Sequence, residues 1–268
     1  MMRIALTIAG SDSIAGAGIQ ADLKTFAAHG VYGASAVTAV TAQNTTGVTD
    51  VFPLPAEIVR AQIDAAARDA DIAAVKTGML ATADIVQIVS ESIRHLHIPH
   101  VVIDPVMTAS AGVTRTLLAS ESVSILRAQL LPLAAVVTPN LSEAAVLSGI
   151  DVDSLDSARE AARRIAGLGP TAVVIKGGHA IGPEAIDLLF FEGSFSEFAA
   201  PRVQIADVHG TGCTFASAIA ARLALGDDIP QAVDQAKRYI TGAIAQSLQI
   251  GRGARVLNHF WDRAARRL

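Results

Sequence analysis

Short apolar runs that stop at a polar residue or a glycine recur along most of this chain, and they restrict what it can fold into. Residues 4–9 end at Gly10-Ser11-Asp12, residues 34–42 at Gln43-Asn44, and residues 72–75 at Lys76-Thr77-Gly78. Val101-Val102-Ile103 runs into Asp104-Pro105, residues 134–137 into Thr138-Pro139-Asn140, and Val173-Val174-Ile175 into Lys176-Gly177-Gly178. Between them lie stretches with helical spacing: Ile19, Leu23 and Phe26 up to Gly30, then Ile58, Val59 and Ile63 after Pro55, then Ile85 and Val89. Runs this short and this continuous suit strands buried on both faces of a parallel sheet. The chain is 51% hydrophobic but only 4% aromatic, so such a core has to be built from Val, Ile, Leu and Ala. Glu192-Gly193, inside residues 186–198, reads as the turn of a hairpin on the sheet's edge. Helices over Thr211–Leu225 and residues 230–248 close the chain. With no linker or repeat, the expectation is one α/β domain over residues 1–268, a mostly parallel sheet between helix layers.

Composition excludes several classes of function. The net charge is −4 and the basic residues are scattered, which argues against a nucleic-acid surface. No apolar run approaches the roughly eighteen residues of a membrane helix. Residues 4–9 are soon followed by Asp12 and read as a strand, not a signal peptide. A single cysteine, Cys213, forms no intramolecular disulfide and fits a reducing, cytoplasmic setting.

In an open α/β sheet, ligands bind beyond the carboxyl ends of the strands. If these strands are parallel, the carboxylate, amide, lysine and glycine groups that end them gather on one rim, as an active site requires. His209-Gly210-Thr211-Gly212-Cys213-Thr214 adds a second signal. Its glycines let backbone N–H groups turn inward at a helix start, a ready site for phosphate. A thiol at a helix N-terminus has its pKa lowered, so Cys213 reads as a base, a nucleophile or a hydrogen-bond partner, against the plainer reading of a buried, inert cysteine. Gly16-Ala17-Gly18-Ile19-Gln20-Ala21 mimics a dinucleotide fingerprint. It lacks the strand immediately before it and an acid about twenty residues on, so a nicotinamide-dependent dehydrogenase is not expected. Its glycines instead suit close approach of a substrate or a neighbouring chain.

Several segments, in order, carry a resemblance. They are Ala9-Gly10-Ser11-Asp12, residues 16–25, Ala42-Gln43-Asn44-Thr45, Lys76-Thr77-Gly78-Met79-Leu80 and Asp104-Pro105-Val106-Met107. Thr138-Pro139-Asn140-Leu141-Ser142-Glu143-Ala144, Lys176-Gly177-Gly178-His179, residues 209–214 and the Asn258-His259-Phe260 tail follow. Together they resemble the hydroxymethylpyrimidine/phosphomethylpyrimidine kinases of thiamine synthesis, in the ribokinase-like superfamily. The resemblance implies a ribokinase-like three-layer α/β/α sandwich and a kinase dependent on ATP and Mg²⁺, working as a homodimer. It implies phosphorylation of 4-amino-5-hydroxymethyl-2-methylpyrimidine on its hydroxymethyl group, and then to the diphosphate.

On this resemblance, the N–H groups of Gly210, Thr211, Gly212 and Cys213 form the anion hole. Many superfamily relatives carry an aspartate base where Cys213 stands, which suggests the thiol as proton acceptor, or as a residue that acts mainly by holding the geometry of the hole. Lys176 and Lys237 are candidates to neutralise the ATP phosphates, although a mid-helix lysine such as Lys237 is by default a solvated one. Gln43 offers a donor and an acceptor to an aminopyrimidine edge. Asp22 is a candidate for a substrate hydroxyl or amino group, or a first-turn acid answering the helix dipole. Gly10, Ala17, Met79 and Val106 are expected around the pyrimidine. Asp104 and Glu143, with Asn140, are the candidate magnesium and phosphate-positioning set, while Asn140-x-x-Glu143 is equally a helix cap with its reciprocal acid. His209 is assigned no chemical step.

The chain departs from the family pattern at Ser110-Ala111-Gly112-Val113, which lacks an acid, at Asp207-Val208 and at Ile14-Ala15. Three alternatives stay open: a pyridoxal kinase, a sensor that binds pyrimidine or nucleotide without turnover, and a cysteine hydrolase. The first is opposed by Gln43, since a pyridine lacks the amidine-like edge. The last needs a histidine partner for Cys213, and His209 is awkwardly close to supply it.

Overall fold

The computed structural model describes residues 2–107, 120–177, 183–205 and 207–262. The elements run β1 (Ile4–Asp12), α1 (Gly18–Ala28), β2 (Tyr32–Asn44), β3 (Gly47–Pro53), α2 (Ala56–Asp69), β4 (Ile72–Thr77), α3 (Ala83–Leu96) and β5 (Val101–Ile103). They continue with α4 (Ser120–Ile125), β6 (Val136–Val137), α5 (Leu141–Ser148), α6 (Leu155–Ala166), β7 (Ala172–Ile175), β8 (Glu184–Phe191) and β9 (Ser194–Pro201). β10 (Val208–His209), α7 (Thr211–Leu225), α8 (Ile229–Ala245) and β11 (Arg255–Val256) complete the chain. The departure at residues 110–113, and Gly178 and His179 of the lysine–glycine motif, lie outside the described residues.

Nine strands form one sheet in the order β3-β2-β1-β4-β5-β6-β7-β8-β9. The pairings from β2 through β7 are parallel, so six carboxyl ends share one rim. β3 and the β8–β9 hairpin add antiparallel strands at the two edges. The hairpin was expected. β3 was not, because its exposed, polar Thr49 and Asp50 carry no buried-strand signal.

Strand periodicity divides the core into two layers. Leu6, Ile8, Val75, Val101, Ile103, Val137, Val173 and Ile175 face α2, α3, α5 and α6. Ala5, Ala74, Val102, Val136, Ala172 and Val174 face α1, α7 and α8. The second layer is alanine-rich, with Ala216, Ala218, Ala220, Ala221 and Ala224 of α7 all buried, and this lets α7 lie close on the sheet. Helix α7 keeps the bounds expected from sequence; α8 ends at Ala245, three residues short of the expectation. Beyond it the chain returns, pairing β11 in parallel with β10 and anchoring the segment that leads into α7.

Candidate active site

One cavity of about 510 Å³ opens at the shared rim, lined by residues from the ends of β1, β2, β5 and β7 and from the starts of α5 and α7. Gly10, Ala17, Gln43, Met79, Asp104, Val106, Asn140, Glu143, Lys176, Lys237 and all of Gly210, Thr211, Gly212 and Cys213 line it. Of the site residues expected from sequence, Asp22 alone is elsewhere.

The cradle at α7 depends on Gly210. Its φ of +84° is a left-handed conformation, and a side chain there would run into the carbonyl oxygen of Gly16. Among the described residues no side chain caps this helix, which leaves its first N–H groups and the positive end of its dipole for a ligand. A Cβ on Gly212 would stand 3.3 Å from Lys176 Nζ and 3.5 Å from Asp104 Oδ2, so the cradle abuts the charged cluster.

In that cluster Lys176 donates to Asp104 Oδ1 at 2.8 Å and lies 3.9 Å from Glu143 Oε2. Burial would lower the lysine's pKa, but the two carboxylates outweigh it and raise it. Asn140 and Glu143 form a full capping box: Asn140 Oδ1 accepts from Glu143 N at 2.9 Å, and Glu143 Oε2 from Asn140 N at 2.8 Å. The box therefore holds an acid on the cavity rim, and the two readings of this pair coexist. Burial pushes the Glu143 carboxyl up to about 7, with Asp104 adding to it and Lys176 opposing.

Lys237 is not a solvated lysine. It is 7% exposed and donates to Asp187 Oδ2 at 2.8 Å, while Asp187 Oδ1 accepts from Gly177 N at 2.9 Å. Asp187, on β8, also lines the cavity and was missed from the sequence, where it looked like an ordinary hairpin residue. Its partner lies fifty positions away on another element.

Two expectations are corrected. Asp22 does not contact the cavity: it is fully buried, beyond the first turn of α1, and pairs with Lys76 Nζ at 2.9 Å. Thr7 Oγ1 and Ser217 Oγ also donate to it, at 2.6 and 2.7 Å. A lysine buried on β4 requires an anion, and Asp22 supplies it. Cys213 does not have a lowered pKa. Burial pushes the thiol up to about 11, with Asp104 and Asp22 adding to it, against Lys76 and the Gly18 N–H. The helix start is outweighed by desolvation.

The first loop is built around Asp12, whose carboxylate accepts from the N–H groups of Ile14, Gly16 and Ala17 at 3.1, 2.9 and 2.8 Å. Burial would raise its pKa, but His209 and those N–H groups outweigh it and hold it below the usual carboxylate value. The glycines of this loop admit the chain's own groups: Gly18 sits against the backbone of Gly10, and Gly16 against the side chains of His209 and Val256. His209, missed from the sequence, joins the site. Its Nε2 lies 3.1 Å from Asp12 Oδ2 and 2.7 Å from Gln43 Nε2.

An N–H cradle faced by a lysine and two acids, at the rim of an open parallel sheet, has the parts that phosphoryl transfer uses. That makes this an α/β phosphotransferase. The chain belongs to the phosphomethylpyrimidine kinase family, whose model matches residues 12–258. It is 49% identical to the hydroxymethylpyrimidine/phosphomethylpyrimidine kinase of Rhizobium meliloti, over 97% of this chain and 98% of that protein. It is 46% identical, over 95% of its length, to a thiamine biosynthesis bifunctional protein of Geobacter sulfurreducens, and spans only 51% of that relative. Among solved structures, an ADP complex of Bacillus subtilis pyridoxal kinase matches with a TM-score of 0.91 and 39% identity, covering 98% of this chain and all of that one. No helix among the described residues is long and apolar enough to cross a membrane.

Proposed function

We propose that this kinase transfers the γ-phosphoryl group of ATP to the hydroxymethyl group of 4-amino-5-hydroxymethyl-2-methylpyrimidine, and then phosphorylates the monophosphate to the diphosphate. The observation that carries this reading is the shared cavity. The residue 210–213 cradle stands against Lys176 and Asp104, and Gln43 opens on the same space. The pyrimidine lies among Gly10, Ala17, Gln43, Met79 and Val106. The apolar stretch of Val203, Ile205, Val208, Ile240 and Ile244 takes the nucleobase, and Asn140, Lys176 and Lys237 attend the phosphates.

Mg²⁺ fits Asp104 and Glu143. Both are oxygen donors, and among the described residues no larger group of His, Cys, Asp or Glu is placed to cage a metal. Two carboxylates acting with waters match the habit of this ion, which when bound neutralises phosphate charge. Cys213 contributes its N–H to the cradle and positions the hydroxyl. Its thiol keeps its proton at rest, and a loose phosphoryl-transfer transition state asks little of a base.

The same reading takes the chain to be a cytoplasmic homodimer. Val40 and Phe52 face each other across β2 and β3 and remain 50% and 67% exposed, an apolar edge suited to a second copy. Light scattering on Phe52→Lys then reports a monomer. The fold likeness also favours a pyridoxal kinase, which Gln43 opposes. ADP release with ATP and Mg²⁺ tests the choice: turnover on both pyrimidines supports the proposal, and turnover on pyridoxal alone refutes it.

A further inference from the structure

The hydrogen bonds on the two sides of Gln43 conflict as its carboxamide stands. Asp12, ionised and accepting three backbone N–H bonds, is purely an acceptor, so His209 Nε2, 3.1 Å away, carries the imidazole proton. Gln43 Nε2, also a donor, then faces that N–H at 2.7 Å. On the opposite side Thr41 Oγ1 lies 2.7 Å from the carbonyl oxygen of Ser11 and 3.2 Å from Gln43 Oε1. The hydroxyl proton goes to the nearer acceptor, Ser11, which leaves Gln43 Oε1 facing an oxygen lone pair. Turning the carboxamide over resolves both conflicts. The single His209 Nε2–H is then shared between Asp12 Oδ2 and Gln43 Oε1 as a three-centre bond, and the Gln43 NH₂ donates to Thr41 Oγ1, which donates to Ser11. The buried Nδ1 of His209, which has no partner among the described residues, agrees, since the Nε2–H tautomer leaves Nδ1 a bare acceptor.

We propose that Asp12 and His209 are positioning residues that fix the polarity of the Gln43 carboxamide, and so determine which heteroaromatic edge the cavity accepts. The proposal rests on Gln43 reading the substrate ring. With one lone pair held by His209 and one amide proton by Thr41, Gln43 keeps one acceptor and one donor in a set order. An amino group beside a ring nitrogen matches that order in one orientation only. An unanchored carboxamide would turn to suit either, and selectivity would be lost.

The deciding measurement is the ¹⁵N spectrum of the histidine-labelled protein, with His209 assigned from the signals missing in His209→Gln. Shifts of a protonated Nε2 and a bare Nδ1 are expected; the opposite tautomer overturns the proposal. In parallel, His209→Leu weakens the affinity for the hydroxymethylpyrimidine about tenfold by calorimetry, the scale of one lost hydrogen bond. KM follows, while kcat and the affinity for pyridoxal hold. His209→Gln, whose amide donates from a similar place, recovers the loss. Equal weakening for both rings, or a fall in kcat alone, refutes the assignment. A wild type that binds the pyrimidine without turnover sinks only the kinase reading, and the affinities still decide this one. A wild type that does not bind it sinks both.

Discussion

Lys76 and Asp22 form an ion pair with no exposure on either side, Nζ lying 2.9 Å from Oδ2, and it joins the sheet to α1 beneath the cradle helix. Thr7 and Ser217 complete the carboxylate's hydrogen bonds, so four elements meet at one buried charge pair. Burial disfavours the charge on Lys76, but Asp22 together with Cys213 and Asp104 outweighs it and raises the lysine's pKa. Cys213 feels this lysine from above, which makes the pair a foundation of the site although it never meets the cavity.

Removing one partner strands the other. Lys76→Met is expected to lower the unfolding free energy by about 3–5 kcal/mol, because an uncompensated buried carboxylate remains. Lys76→Met with Asp22→Asn recovers part of that loss. Urea denaturation of both variants checks it. A loss no larger than that of an exposed pair, about 1 kcal/mol or less, would mean that water reaches Asp22.

The thiol of Cys213 is protonated at neutral pH in the ligand-free site, since burial holds its pKa near 11. Alkylation by iodoacetamide is therefore slow at pH 7 and continues to accelerate above pH 9, following the thiolate fraction. Cys213→Ala cuts turnover while substrate still binds. A rate of alkylation that levels off near neutrality would restore the lowered pKa expected from the helix start alone.

The fold was legible where its signals are local. Gly210 and Gly226, at φ +84° and +100°, bracket α7, and that helix was read to its terminal residues. The polar ends of the apolar runs placed Gln43, Asp104, Asn140 and Lys176 on one rim without any knowledge of contacts. What escaped depends on partners far away in sequence. Asp22 finds Lys76 54 positions on, and Lys237 finds Asp187 50 positions back. His209 reaches Asp12 across 197. Nothing in the neighbouring residues of a lysine or histidine tells whether it will be buried and paired. The two-residue strands β10 and β11 are likewise too short to show a period.

Glu143 makes stability depend on pH. Its carboxyl rises from an ordinary 4.5 to about 7 on folding, chiefly through burial. The folded state thus holds a proton that the unfolded chain has released, and stability falls as pH climbs from about 4.5 through 7. Glu143→Gln keeps an acceptor for the Asn140 N–H and has no proton to lose. Its stability relative to wild type should rise steadily from pH 5 to pH 8, while its kinase activity falls. Urea titrations across that range decide it: parallel profiles would mean that Glu143 titrates normally.

His259 works in the opposite direction on the C-terminal return. Burial, with the nearby charge of Lys24, pushes its imidazole down from 6.5 to about 4. The folded state therefore resists a proton that the unfolded chain accepts. Stability is fully present above about 6.5 and is lost as pH falls toward 4. The neutral ring meets Thr214 Oγ1 at 3.2 Å, and Tyr239 donates to its carbonyl oxygen at 2.8 Å, so protonation loosens the tail from both α7 and α8. His259→Gln should be less stable at pH 7.5, having lost the fitted ring, yet lose less on acidification to pH 5. Hydrogen exchange at Thr214 and Phe215 is the direct readout. Protection that declines equally in the two proteins between those pH values would place the acid sensitivity elsewhere.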